Sequence, residues 1–276
     1  RCLPLDHELR LIRLPAMDIR PCRACYTCLA EPNACPIDDD LSTVIDELCR
    51  ADGIIVAAPT YFLGPNASLK NLLDRGLSLY ARADELWGKP AVGVGIAGIP
   101  GKEGSTLLGI ESFLKLILAE VKHTAMSYGA LPGQALLSDQ TRSAVRQLAA
   151  ALFGQPVSHH PCCPVCGGQT FRFLDHSRVR CMLCSNQGSF SMKNGRTSFD
   201  ISRSKHELFL SRTDVRSHHA WLLQMKDRFR QQRRQLLAVS RDYRDEGIWV
   251  VSADSGQKSM DDNTDKEPIP GSEPDS

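Results

Sequence analysis

The chain has almost no excess of either charge, since 33 lysines and arginines stand against 32 aspartates and glutamates, giving a formal net charge of +1 over 276 residues. A near-neutral chain offers no overall attraction to nucleic acid or to an anionic membrane, and we expect neither as a partner. It also lacks an apolar run of the roughly 20 residues that a membrane helix needs. No charged segment followed by an apolar core, the pattern of a secretory signal, is visible near Arg1. These absences predict a soluble, cytoplasmic protein.

Cysteine is the one residue type whose distribution stands out. Eleven cysteines are too few for a secreted disulfide framework in a chain of this length, and eight of them fall into two tight clusters with metal-ligand spacing. Two metal sites in a reducing compartment are therefore expected. The remaining three, Cys2, Cys49 and Cys162, are expected to be small buried apolar residues or bystanders.

The first 155 residues alternate between candidate strands and candidate helices. The strand candidates are residues 9–14, 52–59, 91–98 and 125–131, of which the last has the weaker pattern because it is less apolar. The helix candidates are residues 41–50, 67–81, 106–121 and 140–153. Asp38, Asp39 and Asp40 precede the first helix and are placed to cap it. This alternation predicts an α/β domain with a doubly wound parallel sheet.

After Gly154 the pattern changes to short alternating strands and then to a long helix. The short strand candidates are residues 170–174, 179–182, 189–193 and 197–202. Asn194-Gly195 lies between the last two and is the strongest short hairpin signal, because both turn positions need a positive φ. Residues 214–243 are helical with one apolar face and many arginines, which favours a packing helix over a nucleic-acid or membrane surface.

Four segments follow from these patterns. Residues 1–155 form the α/β domain, residues 156–203 a small β module and residues 204–250 a helical extension. Residues 251–276 contain almost no apolar side chains and are predicted to be a disordered tail.

The first cysteine cluster consists of Cys22, Cys25, Cys28 and Cys35. Four thiolates held this closely on a tight loop can surround a cube of iron and sulfide. Zinc also accepts four thiolates, but structural zinc sites usually use two separated pairs rather than three evenly spaced cysteines plus one. The spacing therefore favours a four-iron four-sulfur cluster, with a loop of free thiols as the alternative.

Four segments of the chain resemble the iron-sulfur flavoproteins of the NADPH-dependent FMN reductase superfamily. They are residues 21–28 (PCRACYTC), 35–40 (CPIDDD), 58–62 (APTYF) and 69–75 (LKNLLDR), and the likeness covers roughly residues 9–150. The resemblance implies a flavodoxin-like sheet that binds FMN at the carboxyl ends of its strands, beside the cluster.

Two loops that follow buried strands are the expected FMN contacts. The first is the loop of residues 59–64 and the second follows the strand at residues 91–98. The candidate FMN-binding residues are Pro59, Thr60, Tyr61, Phe62, Gly98 and Gly101. Tyr61 is a flavin contact by resemblance, and no side chain is named as a proton donor or acceptor.

The family pattern begins with a strand and a Ser- and Gly-rich loop that cradles the FMN phosphate at a helix start. Residues 1–7 contain neither element. We interpret the chain as a fragment that lacks the central strand, with loss of tight FMN binding as the alternative.

The second cysteine cluster consists of Cys163, Cys166, Cys181 and Cys184. Two Cys-x-x-Cys pairs separated by a predicted hairpin are typical of a zinc ribbon, in which the metal is needed for folding. Rubredoxin-type iron has the same ligand chemistry and is the less favoured metal. Spacing selects Cys163 over Cys162, and His159 or His160 could substitute.

The combined pattern predicts an FMN-dependent oxidoreductase that takes electrons from ferredoxin or NAD(P)H and passes them to a small acceptor such as a quinone, a nitro compound or an oxygen species. A homo-oligomer is expected, because flavodoxin-like reductases commonly pair subunits around the flavin. The alternative is a zinc-ribbon interaction protein whose flavodoxin-like half is a scaffold without cofactor.

Overall fold

A computed structural model describes residues 6–30, 35–155 and 161–244. The chain divides into two compact units, Arg1–Gln224 and Met225–Ser276. Cys2, His159, His160 and the predicted tail at residues 251–276 lie outside the described residues.

The first sheet consists of three parallel strands with a short antiparallel strand at one end of the first. Its strands are β1 (Ile54–Tyr61), β2 (Gly64–Pro65), β3 (Pro90–Ala97) and β4 (Glu120–Tyr128), in the order β2-β1-β3-β4. β1 pairs with β3 from Ile54↔Ala91 to Pro59↔Ile96, and β3 pairs with β4. Because all three long strands run the same way, their carboxyl ends and the loops that follow meet at one edge.

Helices cover this sheet and bury its apolar side chains. They are α1 (Leu41–Arg50), α2 (Ala67–Asp74), α3 (Ala83–Leu86), α4 (Thr106–Leu116) and α5 (Asp139–Leu152). Short 3-10 helices lie at Leu14–Ala16, Thr27–Leu29, Gly76–Arg82 and Gln134–Leu137. Ile110 and Leu114 on α4 and Leu86 on α3 are fully buried in the main core, which also takes in Phe209 and Val215. The predicted parallel α/β architecture is confirmed.

Several predicted boundaries differ from the structure. The predicted strand at residues 9–14 is wrong: no ladder forms there, and Leu11 is 85% exposed. Alternating residues form a strand only where a neighbouring strand offers hydrogen bonds. The predicted strand at residues 125–131 starts earlier, at Glu120, and ends at Tyr128, because Gly129, Pro132 and Gly133 turn the chain.

Two predicted helices end earlier than expected. The helix predicted to reach residue 81 ends at Asp74 and continues as the 3-10 helix Gly76–Arg82. The helix predicted to reach residue 121 ends at Leu116, where Leu118 takes a positive φ of 66° and redirects the chain into β4. A left-handed residue closes a helix, but a leucine gives no sequence signal for it.

The second sheet is antiparallel and builds the small β module. Its strands are β5 (Phe171–Phe173), β6 (Arg178–Cys181), β7 (Gln187–Lys193) and β8 (Arg196–Ile201), in sequential order. Asn194 and Gly195 have φ values of 52° and 70°, as the predicted hairpin turn between β7 and β8 requires. The four predicted strands are therefore confirmed within two residues at each end.

The long helix α6 (Arg212–Arg244) begins in the first unit and ends in the second, as predicted for residues 214–243. No helix among the described residues is long and apolar enough to cross a membrane.

Candidate functional site

The cysteines of the β module converge on one point. The Sγ atoms of Cys163, Cys166, Cys181 and Cys184 all lie within 4.8 Å of one another. The Cys163–Cys184 and Cys166–Cys181 sulfur distances are 3.8 Å and 3.5 Å. Four thiolates at about 2.3 Å around one zinc would lie about 3.8 Å apart, so these side chains have the spacing of a single tetrahedral ion.

Two similar turns aim these sulfurs at their common centre. The first cysteine of each pair accepts a backbone bond at its carbonyl, from Gly167 to Cys163 and from Ser185 to Cys181, both at 2.9 Å. The residue after the second cysteine has a positive φ in each turn, 79° at Gly167 and 61° at Ser185. The left-handed residue lets the chain reverse around the metal position.

The thiols of Cys166, Cys181 and Cys184 influence one another through hydrogen bonds. Hydrogen bonds from the Cys166 and Cys181 thiols lower the pKa of Cys184. Metal binding needs thiolates, and a lowered thiol pKa favours the form that a cation binds.

The first cysteine set lies on a loop before α1. Cys22 and Cys25 are exposed, while Cys28 and Cys35 are partly buried. Two residues of this loop, Ala24 and Tyr26, have positive φ values of 53° and 56°. Such conformations cost free energy in non-glycine residues and are held only where surrounding structure demands them.

Each sulfur of the loop accepts a hydrogen bond. The backbone N–H of Ala24 donates to Cys22 and the Thr27 hydroxyl to Cys25, both at 3.4 Å. Ser78 donates to Cys28, and the Arg75 guanidinium donates to Cys35 at 3.1 Å. Burial raises the pKa of the Cys28 thiol, and the Ser78 hydroxyl opposes that shift. Thiolate ligands of metal clusters are stabilised by donors of this kind.

The three aspartates before α1 do more than cap it. Asp39 accepts the backbone N–H of Leu41 at 3.2 Å, but Asp40 makes no side-chain bond to the helix and instead accepts the N–H of Asp18 at 2.7 Å. The expectation that all three cap the helix is therefore wrong. Two of them hold the chain segment that leads into the cysteine loop.

A cavity of about 630 Å³ opens at the carboxyl edge of the parallel sheet. Of the candidate FMN residues it is lined by Pro59, Thr60, Tyr61 and Gly98, whereas Phe62 and Gly101 do not line it. Its size lies within the range of small-molecule and cofactor sites. The parallel topology thus brings together four of the six residues that sequence reasoning singled out for FMN.

The loop after β1 is held in a strained shape. Phe62 and Leu63 have positive φ values of 49° and 65°. The Leu63 carbonyl accepts two bonds from Ser105, from its N–H at 2.8 Å and its hydroxyl at 3.1 Å. Tyr61 is 63% exposed and Phe62 fully so. The loop therefore exposes two aromatic residues, of which Tyr61 lines the cavity.

Two features of the site were not predicted from the sequence, namely a third cavity loop and the contact between Arg75 and Cys35. Residues 129–133, 135 and 136 follow β4 and line the cavity, together with Ser127 and Thr141, whose hydroxyls are 2.7 Å apart. The rule that all carboxyl ends of a parallel sheet share one edge could have found this loop. Nothing in the sequence marks Arg75 as a partner of Cys35, because the two lie 40 positions apart.

The chain was compared with known families and proteins. The family described as NADPH-dependent FMN reductase matches residues 3–129. An iron-sulfur flavoprotein of Archaeoglobus fulgidus is 30% identical over 142 residues, which are 51% of this chain and 72% of that protein. An iron-sulfur flavoprotein of Methanocaldococcus jannaschii is 35% identical over 109 residues, 38% of this chain and 54% of the relative.

Coverage of the curated relatives varies. The match to the iron-sulfur flavoprotein of Methanosarcina thermophila, 37% identical over 81 residues, covers 29% of this chain and 42% of that protein. The chain thus spans about half the length, or less, of several relatives that it matches.

A solved structure titled flavone reductase superposes with a TM-score of 0.64, at 18% identity and with 90% of both chains covered. That likeness concerns the fold, and it confirms the predicted flavodoxin-like architecture. The assignment to a family rests on the sequence matches, since this chain covers 72% of the Archaeoglobus fulgidus relative at 30% identity. The chain belongs to the iron-sulfur flavoproteins of the NADPH-dependent FMN reductase superfamily.

Proposed function

We propose that the protein is an FMN-dependent oxidoreductase of the cytoplasm that takes electrons from NAD(P)H or reduced ferredoxin and passes them to a small acceptor. The observation that carries the proposal is the cysteine loop of an iron-sulfur flavoprotein in which every sulfur accepts a hydrogen bond from a protein donor. Bound FMN would supply the exchange between one- and two-electron steps, and the protein would supply placement and electrostatics.

Cys22, Cys25, Cys28 and Cys35 would hold a four-iron four-sulfur cluster. Among the described residues, the ribbon cysteines form the one group of His, Cys, Asp or Glu side chains that meets as closely as a single ion needs. A cube of iron and sulfide is larger than one ion and holds its ligands further apart, and three evenly spaced cysteines plus one favour the cluster over zinc.

The cavity at the sheet edge is the proposed FMN site. Pro59, Thr60, Tyr61 and Gly98 line it, while Phe62 and Gly101 lie beside it on the same loops. The exposed side chains of Leu131 and Leu136 line the cavity, and the exposed ring of Phe62 lies on the loop after β1. These side chains support a homo-oligomer in which a second subunit covers them, since an apolar patch of this kind is a common interface.

The β module is proposed to be a zinc ribbon with a structural role. The sulfur distances of 3.5 Å and 3.8 Å support one tetrahedral ion bound by Cys163, Cys166, Cys181 and Cys184. Zinc has no redox chemistry, so this site would fold the module and would not carry electrons.

The test is anaerobic reconstitution of the whole chain with iron, sulfide, zinc and FMN. We expect about four iron and four sulfide per chain, and Cys25→Ala should abolish the brown cluster absorption while the zinc content stays unchanged. Cys49→Ala is the matched control, because Cys49 belongs to neither set, and it should keep both metals.

Two results would contradict the proposal. Iron content that survives the Cys25→Ala change would show that the ligand assignment is wrong. A chain that takes up zinc but shows neither flavin nor cluster absorption would support the scaffold alternative instead.

A further inference from the structure

Arg75 lies directly after α2 and is buried, with 1% of its side chain exposed. One terminal nitrogen, Nη1, donates to the Arg20 carbonyl and to Asp39 Oδ2, both at 2.7 Å. The other, Nη2, donates to Cys35 Sγ at 3.1 Å and to Asp39 Oδ1 at 3.3 Å. The guanidinium therefore joins the cysteine loop to a carboxylate through a two-pronged ion pair.

Asp39 is fixed as firmly as its partner. None of its side chain is exposed, and besides Arg75 it accepts the backbone N–H groups of Arg20 at 2.9 Å and Leu41 at 3.2 Å. Asn71 on α2 also donates to the Ile19 carbonyl. The pair is therefore held from α1, from α2 and from the segment before the cysteines.

A buried ion pair of this kind is a weak source of stability, because removing two charges from water costs about as much as their attraction returns. The Nε of Arg75 is buried without a hydrogen-bond partner among the described residues, which adds a further cost. What the arrangement secures is direction: one N–H of a permanently charged group points at the sulfur of Cys35.

We propose that Arg75 and Asp39 together set the reduction potential of the iron-sulfur cluster, with Arg75 acting through its hydrogen bond to Cys35. The inference rests on the proposed function in one respect, namely that Cys35 is a cluster ligand. A positive donor on a ligand sulfur stabilises the reduced, more negative state and raises the potential. Asp39 partly cancels the guanidinium charge and therefore lowers the potential.

The two residues act in opposite directions on the same quantity, and this gives the proposal its test. Replacement of Arg75 by Gln removes the charge and should move the midpoint potential of the cluster to more negative values. Arg75→Lys keeps the charge without the two-pronged geometry and should give a smaller shift of the same sign. Asp39→Asn leaves the guanidinium uncompensated and should move the midpoint to more positive values.

The double variant Arg75→Gln with Asp39→Asn completes a double-mutant cycle. It leaves no unpaired buried charge, so it can still be measured if a single variant fails to fold. Arg75 contacts the sulfur and Asp39 does not, so the effect of Arg75 on the potential is the larger one. The midpoint potential of the double variant should therefore lie below that of the wild type and above that of Arg75→Gln. Arg82→Gln is the matched control. Arg82 pairs at the surface with Asp46 and Glu85, so its loss should leave the midpoint unchanged.

The experiment is a potentiometric titration of the reconstituted full chain, followed by the electron paramagnetic resonance signal of the reduced cluster. The expected order of midpoints is Asp39→Asn, wild type, double variant and Arg75→Gln, from positive to negative. Unchanged midpoints would overturn the proposal, and so would a fall in both single variants, which is the result of a purely structural role. If the wild type binds no cluster at all, the proposed function fails first, and that failure is recognised by the absence of any titration.

Discussion

The ribbon cysteines lie on two short turns joined by one hairpin, whereas the loop cysteines at residues 22–35 depend on side chains from distant parts of the chain. Within the ribbon, the backbone hydrogen bonds of the two turns and the bond from the Gly168 N–H to the Cys166 sulfur join residues 163–186. In the loop, Cys28 and Cys35 rely on Ser78 and Arg75, and the Leu29 carbonyl accepts a bond from His219 at 3.1 Å.

This difference predicts different roles for the two proposed metal sites. A locally built site has little apolar core of its own, so the metal itself provides most of the free energy of folding. We expect a loop that is positioned by an existing α/β core to fold without its proposed cluster, and we expect the groups around the loop to adjust the properties of that cluster. The comparison predicts that metal loss unfolds the ribbon and leaves the parallel sheet intact.

The largest expected effect is on the ribbon. A variant with Cys181→Ser and Cys184→Ser should lose zinc and, with it, about 10 kcal/mol or more of metal-dependent folding free energy. Limited proteolysis should then reveal new cleavage between Gly167 and Ser202. Reduction of FMN by a chemical donor should be retained, because zinc carries no electrons.

Cys162→Ser is the control for that variant, since Cys162 precedes the set and should keep zinc and resist cleavage. A contrary outcome would be a ribbon that stays folded while the flavin or the cluster no longer reduces. In that case the module would carry electrons, and rubredoxin-type iron would have to replace zinc.

The sequence predicts those elements of the fold that depend on local contacts and fails at those that depend on contacts between distant parts of the chain. The hairpin at Asn194-Gly195, the ribbon strands and helix α1 are encoded locally and are predicted correctly. The strand expected at residues 9–14 is wrong, because a strand needs a hydrogen-bonding neighbour that alternation alone does not provide. The helix end at Leu118 depends on a left-handed leucine that carries no signal.

The candidate site, like the fold, is predicted only in part from the sequence. Both cysteine sets are visible in the sequence, because metal ligation demands close spacing of one residue type. The Arg75–Cys35 contact and the third cavity loop are not, because they depend on which segments the fold brings together. Residues whose role depends on close spacing in the sequence are therefore predicted, whereas residues whose role depends on long-range contacts are not.

A smaller effect tests whether the second hairpin belongs to the zinc-dependent unit. Gly188 on β7 pairs with Val179 and Ile201, and a Cβ at this position would overlap the backbone carbonyl of Asp200. Gly188→Ala should therefore displace β8 and destabilise the ribbon by about 1–3 kcal/mol, the usual cost of overpacking. Hydrogen exchange should show faster opening of β7 and β8.

Ser189→Ala is the matched control for this change, because Ser189 is exposed on the opposite face of the same strand and should exchange as the wild type does. Cluster content should be unaffected in both variants. Equal protection of β7 and β8 in Gly188→Ala and Ser189→Ala would show that the close approach of Asp200 does not constrain this hairpin.

The smallest expected effect concerns the pairing of arginine charges, which differs between the cysteine loop and the ribbon. The charge of Arg75 is neutralised by Asp39, but in the ribbon Arg172 on β5 lies directly opposite Arg180 on β6, and both are exposed. Like charges at paired positions of an antiparallel sheet are destabilising by about 0.2–1 kcal/mol. Arg172→Glu should therefore slow hydrogen exchange of the β5 and β6 amides in low salt. The gain in stability should shrink at high salt, where exposed charges are screened.

Arg172→Gln, which removes the repulsion without adding an attraction, should give a smaller gain in stability. If Arg172→Glu instead exchanges faster at both salt concentrations, Arg172 supports the sheet through contacts of its side chain, and repulsion by Arg180 is not the dominant effect there.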